Sequence, residues 1–369
     1  MRIRQPAMTA SVVVLCFWLL LTSCEGTFTR NTLTISAETT GDSGDIQLAA
    51  TLPHYRAGRL ECTTYYQAQW GSDPGELGLC PASSEAWIRG PYPPVPDEHG
   101  GLFVLDKANQ RIVRYSKSEA PRIIPLPSSY VLDDVCGYSN RWSNISVSKD
   151  RLFLRYLTLQ NERFVQRLAV LSLEGQEETS IDLEPYYPLN SPYLNSLLPD
   201  RKGGVYVQFV PVGLVHFDEG FRPTFVPLGT KADYGNMVVG WDGNFYTYDL
   251  ERDIVRNQGA DARHIDGEAL SWLENVISAT SVTSSTHVRL IGVDTGGRLY
   301  FSFITYEQDR VAWFLRLSNS GKEGKLAVLT EIDLSSSSLA PDGSLYDIVY
   351  DPDSPAVKPR IVRCVFGSD

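Results

Sequence analysis

One short phrase, repeated down the chain, constrains the possible folds more than any other feature. It is an acidic or polar turn built on glycine, followed at once by an aromatic or aliphatic residue that starts a new apolar run. The clearest copy is Asp97-Glu-His-Gly-Gly-Leu-Phe103, and Ser148-Lys-Asp-Arg-Leu-Phe153 follows with Arg151 in the glycine position. Asp200-Arg-Lys-Gly-Gly-Val-Tyr206, Gly240-Trp-Asp-Gly-Asn-Phe-Tyr246, Asp294-Thr-Gly-Gly-Arg-Leu-Tyr300 and Pro341-Asp-Gly-Ser-Leu-Tyr346 complete the set. Aligned at 101, 151, 204, 243, 297 and 343, the copies are 50, 53, 39, 54 and 46 residues apart. Glycine supplies the positive φ angles that tight hairpin turns need. Apolar stretches precede the turns, as in Asn144-Ile-Ser-Val147, Met237-Val-Val239 and Arg289-Leu-Ile-Gly-Val293. A third strand follows each aromatic run, as in Arg111-Ile-Val-Arg-Tyr115, which alternates polar and apolar residues.

A unit of this length holding several short strands predicts a β-propeller. One four-stranded sheet exposes two apolar faces, and packing such sheets in a ring buries both faces and leaves only short edges. The fold class is therefore all-β: a propeller of about six four-stranded blades, closed by an N-terminal strand, with a seventh blade if residues 32–85 form their own. The last copy ends near the C-terminus at Val362-Arg-Cys-Val-Phe366, so its fourth strand has to come from elsewhere. Residues 45–60 or 82–92 are the expected source. Residues 266–278 carry Leu270, Leu273 and Ile277 at helical spacing and predict one helical insert.

The 369 residues include 33 basic and 44 acidic side chains, a formal charge of −11 with no basic tail at either end. That balance disfavours nucleic acid as a partner of the folded part. Nineteen tyrosines, 29 glycines and 22 prolines suit many short strands joined by turns.

The N-terminus reads as an address. Arg2 and Arg4 precede a ten-residue apolar core, Val12 to Leu21, too short to span a bilayer, so residues 1–23 read as a signal peptide. Leu21-Thr-Ser-Cys24 closely resembles the lipobox of bacterial lipoproteins. The resemblance implies that Cys24 is diacylated and becomes the mature N-terminus. The protein is then lipid-anchored at a cell membrane and faces the extracytoplasmic side, its partner there being the membrane itself. Residues 24–45, rich in Thr, Ser and Gly, read as a tether, and residues 46–369 as the propeller domain. Cys62, Cys80, Cys136 and Cys364 remain, an even number in an exported chain, where disulfides persist. Four cysteines allow three pairings. Cys62–Cys80 is the local choice, closing a loop over 62–80, with Cys136–Cys364 then joining an early strand to the last. No Cys-x-x-Cys spacing supports zinc.

The stretch Asp97-x-x-Gly-Gly-Leu-Phe-Val-Leu-Asp106-x-x-Asn109-x-Arg111-Ile-Val-Arg-Tyr115 resembles the NHL repeat of six-bladed propellers. The other copies match only in part: the second lacks the glycine, and the third lacks the later Asp and Arg. The resemblance implies fold more than function, because such propellers host binding, scaffolding and several enzymes.

The loops after the second strands gather Asp106, Glu162, Asp249, Glu251, Asp253, Glu307, Asp309, Asp351 and Asp353, interleaved with Lys107, Arg111, Arg163, Arg252, Arg310, Lys358 and Arg360. They read first as a solvated loop face and only second as an acidic rim for a cation. Asp249-x-Glu251-x-Asp253 is the nearest approach to a calcium loop and lacks its glycine. Among His54, His99, His216, His264 and His287 there is no metal-binding spacing; His99 falls in a turn, and His216 falls in a strand with a satisfied ring. Trp70, Trp87, Trp142, Trp241, Trp272 and Trp313 read as blade-interface aromatics. No nucleophile elbow, phosphate loop or dinucleotide fingerprint occurs, and no cofactor, catalytic or metal-ligating residue is assigned. The expectation is a binding or interaction module of unknown ligand. The alternative is a metal-dependent propeller enzyme of the lactonase or lyase kind.

Overall fold

The computed structural model describes residues 37–39, 46–48, 55–57, 59–79, 91, 93–132, 145–186, 194–209, 213–226, 237–249, 254–257, 287–306, 310–318, 324–329, 337–350 and 356–367. The signal segment, Cys24, Cys80, Cys136 and the helical insert over 266–278 lie outside them. Residues Thr34–Asp369 form one compact unit.

In chain order, β1 (Ala37–Thr39) and β2 (Ile46–Leu48) form a hairpin, its first strand within the stretch read as a tether, and β3 (Tyr55–Ala57) and β4 (Leu60–Gln67) follow. The repeats then begin with β5 (Val95–Pro96), β6 (Leu102–Asp106), β7 (Arg111–Tyr115) and β8 (Arg122–Pro125). Next come β9 (Ile145–Ser148), β10 (Arg151–Gln160), β11 (Arg163–Ser172) and β12 (Glu177–Asp182). The third unit is β13 (Leu194–Pro199), β14 (Val205–Phe209), β15 (Gly213–Phe217) and β16 (Pro223–Val226). The fourth is β17 (Met237–Val239), β18 (Phe245–Asp249) and β19 (Ile254–Asn257). The last two are β20 (His287–Val293), β21 (Leu299–Tyr306), β22 (Arg310–Leu317) and β23 (Gly324–Leu329), then β24 (Ser338–Leu339), β25 (Leu345–Val349) and β26 (Arg360–Phe366).

Each unit is a meander whose strands pair in sequence order, the all-β propeller arrangement the repeat predicts. Among the described residues five of these sheets carry four or more strands and β17–β19 has three, so five full blades and a three-stranded sixth sheet stand close to the expected six. Residues 55–67 add to existing sheets and build no seventh blade. Strand β3 pairs parallel with β23, and β4 pairs antiparallel with β26. An N-terminal strand thus closes the ring, but it is Leu60–Gln67, which follows the expected 45–60 stretch and shares only Leu60 with it, and not a strand from 82–92.

The apolar runs are continuous because both faces of each sheet are covered. Along β6, Phe103 and Leu105 pack with Ile145, Leu152 and Leu154 of the next sheet. Leu102 and Val104 pack on the other side with Tyr346, Ile348 and Ile361 of the sheet before. The same alternation puts Phe153 against Val205, Val207 and Phe217. Each such side chain contributes roughly 1.5–3 kcal/mol through burial.

The repeated turn has a clear geometry. Asp97 Oδ1 accepts the backbone N–H groups of His99 and Gly101, Asp200 Oδ1 those of Lys202 and Gly204, and Asp294 Oδ1 those of Gly296 and Arg298. The paired glycines do different jobs. Gly100 and Gly203 take φ of 82° and 99°, while a Cβ on Gly101 or Gly204 would lie 2.5 or 2.4 Å from the capping carboxylate. In the copy that lacks glycine, Lys149 takes the left-handed conformation at φ 55°.

The disulfide joins Cys62 to Cys364, and not Cys62 to Cys80 or Cys136 to Cys364. The two residues face each other directly in the β4–β26 ladder, so the bond crosses the seam between the chain's early and late strands. Sequence distance favoured the shorter loop, but ring closure brings together residues 302 positions apart.

Candidate functional site: the central channel

The short first strands of the six sheets, β5, β9, β13, β17, β20 and β24, touch one another in ring order, and β24 returns to β5. Residues from all six line a cavity of about 170 Å³ on the axis. Its wall is half apolar, with Val95, Met237, Val239, Ile291 and Leu339 among its members. The polar wall groups are Ser146, Ser196, Gln208, Arg289, Ser337, Ser338 and, at the turn end of the strands, Arg201. No carboxylate, imidazole or thiol lines the cavity among the described residues.

Several wall groups already have partners. Ser196 Oγ lies 2.8 Å from Gln208 Oε1, and Ser337 Oγ lies 3.1 Å from Oδ2 of the buried Asp347. Others do not. Ser146 is buried, yet its Oγ has no hydrogen-bond partner among the described residues, and neither has the buried Nε of Arg201. A buried polar group without a partner costs about 1–3 kcal/mol.

The turn end of the channel is organised by Trp241. Its indole N–H donates to the Leu339 carbonyl at 2.7 Å and its backbone N–H to the Val293 carbonyl at 2.8 Å, linking three first-strand regions. The Arg201 guanidinium lies over its ring, 3.4 Å from the centroid. Burial pulls that guanidinium down to about 9, so it stays charged at neutral pH, with Glu98 and Asp200 as its acidic neighbours.

Asp106 and Arg111 are not members of an exposed rim. Asp106 is fully buried: it accepts the Gly78 N–H on Oδ1 and the Asn109 and Arg111 side chains on Oδ2. Asn109 donates to the Gly71 carbonyl, and Arg111 donates to the carbonyls of Ser72, Asp73 and Glu76. The residues that carry the NHL resemblance therefore clamp the 71–78 loop. Lys107 is also buried, whereas Glu162 is exposed at a hairpin tip and Arg163 makes an exposed ion pair with Glu184. The side chains of Asp249, Glu251, Asp253, Glu307, Asp309, Asp351 and Asp353 lie outside the described residues, as do those of Arg252 and Arg310.

His216 sits on β15 with Nε2 2.9 Å from Asp200 Oδ2 and its ring stacked on Tyr206. A carboxylate only accepts, so the proton is on Nε2. Ser148 Oγ donates to the other oxygen of Asp200 at 3.0 Å. Burial raises the Asp200 carboxyl, but the hydrogen bonds from His216, Lys202, Gly204 and Ser148 outweigh it and bring the group down to about 2. Asp200 stands between serine and histidine, so the histidine cannot take the serine's proton; the trio locks a turn. His99 is exposed. The side chains of His54, His264 and His287 lie outside the described residues, with those of Trp87, Trp142, Trp272 and Trp313. Trp70 donates to the Val357 carbonyl and meets Tyr350 edge-on.

Sequence reasoning missed Ser146, Arg201 and Arg289. The available signal was a hydroxyl or a cation inside or beside an otherwise apolar first strand.

No protein-family model matches the chain, and no curated protein matches it by sequence. Solved structures resemble it at a distance. A Bacteroides thetaiotaomicron protein of unknown function is 11% identical with a TM-score of 0.45, covering 84% of this chain and 76% of that one. Virginiamycin B lyase from Staphylococcus aureus is 10% identical with a TM-score of 0.43, covering 84% and 99%. A PQQ-bound aldose sugar dehydrogenase from Streptomyces coelicolor is 9% identical with a TM-score of 0.42, covering 83% and 99%. None of the three lends this chain an activity.

Proposed function

We propose that this chain is a binding module: an extracytoplasmic propeller, held at a cell membrane by a lipid on Cys24, that takes a small ligand in its central channel. The observation that carries the binding role is the channel wall, where buried polar groups without partners stand beside apolar side chains in a closed ring of strands. The anchor rests on Leu21-Thr-Ser-Cys24. No helix among the described residues is long and apolar enough to cross a membrane.

The described channel wall does not supply the donor set that the metal-enzyme alternative calls for. Calcium takes six to eight oxygens, carboxylates prominent among them. The described wall offers serine hydroxyls and one amide, and no group of three His, Cys, Asp or Glu converges among the described residues.

Two measurements test the two halves. Labelled palmitate enters the wild type and not Cys24→Ala; equal labelling of both removes the anchor. Native mass spectrometry of the gently purified full chain shows a small bound molecule, which Arg289→Gln loses. Equal retention by that variant removes the channel as the site.

A further inference from the structure

The channel's chemistry specifies more than a binding cavity. Its polar side chains are two guanidinium groups, an amide and several hydroxyls, with no carboxylate among the described residues. Gln208 uses its amide oxygen on Ser196, and Ser337 directs its hydroxyl to Asp347. Among the described residues, the two buried polar side-chain atoms of the wall without partners are a hydroxyl, Ser146 Oγ, and a group that can only donate, Arg201 Nε. Two guanidinium groups, Arg201 and Arg289, belong to the wall of a protein whose formal charge is −11. Around the wall, Asp347 accepts from Ser337, and Glu98 and Asp200 are the acidic neighbours of Arg201. The volume of about 170 Å³ admits on the order of ten water-sized groups.

We infer that the channel takes a small organic oxyanion, its charged end held by Arg289, Ser146 and Arg201 and its carbon body against Val239, Ile291 and Leu339. This rests on the reading of the channel as the ligand site. Guanidinium groups suit carboxylate and phosphate alike, since both present paired oxygens to a planar fork of donors. The low-dielectric wall strengthens that attraction, and the ring of first strands holds the donors in place before the ligand arrives.

The test is calorimetric titration of the full chain at low salt with pyrophosphate, citrate, glycerol and glucose. At least one anion is expected to bind at one site, and the stronger of pyrophosphate and citrate tells phosphate from carboxylate. Its affinity falls at least tenfold in both Ser146→Ala and Arg289→Gln, with the melting temperature of Ser146→Ala no lower than wild type. If Arg289→Gln melts early, Arg289→Lys replaces it and is expected to retain part of the affinity. Anion binding equal in Ser146→Ala, Arg289→Gln and wild type overturns the inference and the channel reading with it. Glucose binding that is lost in Ser146→Ala, with both anions silent, overturns the anion class and leaves the channel reading standing. Silence from all four compounds overturns the inference.

Discussion

Arg201 lies over Trp241, its guanidinium carbon 3.4 Å from the ring centroid, and this pair forms the turn end of the channel. The two residues come from neighbouring repeats, and Arg201 holds its place in the left-handed conformation at φ 62°. Trp241 then reaches the Leu339 carbonyl on β24. Trp241→Phe keeps a ring under Arg201 but strands that carbonyl. Urea denaturation is expected to show a loss of about 1–3 kcal/mol; an unchanged midpoint would show that the indole N–H does not help to hold the ring of first strands.

Arg111 and Asp106 form a buried ion pair at 3.0 Å that also fastens the 71–78 loop. Arg111→Ala leaves the buried carboxylate without its cation, with an expected cost of about 3–5 kcal/mol. Limited proteolysis should then cut within 71–78 before anywhere else in the described domain. Arg163→Ala breaks the exposed pair with Glu184 and should cost less than about 1 kcal/mol. Comparable losses in the two variants would contradict the assignment of Asp106 and Arg111 as buried clamps.

The Cys62–Cys364 bond closes nearly the whole ring, and the chain-entropy estimate for so long a loop is about 6 kcal/mol. Non-reducing peptide mapping should recover the peptide with Cys62 joined to the peptide with Cys364. A Cys62→Ser, Cys364→Ser double variant should melt well below wild type and respond less to reductant. Recovery of a Cys62–Cys80 peptide would refute the seam.

Asp200 gives a pH signature. Its folded pKa is about 2 against an unfolded value of 3.8, so its contribution is fully present above about 4 and disappears as pH falls from there towards 2. The shift corresponds to roughly 2 kcal/mol. Acid titration of stability should be shallower in Asp200→Asn than in wild type across that interval, and the variant should be less stable at pH 7. Parallel curves would mean that the carboxylate is not held by its His216 and Ser148 contacts.

The sequence revealed most of the architecture because the capping turn is local: an aspartate, one glycine for positive φ and a second that lets the carboxylate approach are all readable within five residues. The apolar run Leu102–Leu105 was legible for the same reason, since strict alternation between two buried faces leaves no polar position. The disulfide was not legible, because the facing of Cys62 and Cys364 depends on the register between β4 and β26, which nothing local encodes. Asp106 and Arg111 looked like loop fixtures and are buried ones, since the partner loop over 71–78 arrives from an earlier part of the chain. The channel groups were hidden for a related reason. Ser146 and Arg289 gain their meaning only when six short strands, each unremarkable alone, meet on one axis.

The central claim is that the channel holds the ligand, and a crystal structure of the protein grown with pyrophosphate or citrate tests it most directly. The account expects anion density on the axis, within hydrogen-bonding distance of Ser146 Oγ and the Arg289 guanidinium. An anion on the outer surface above a channel filled only with water would contradict it.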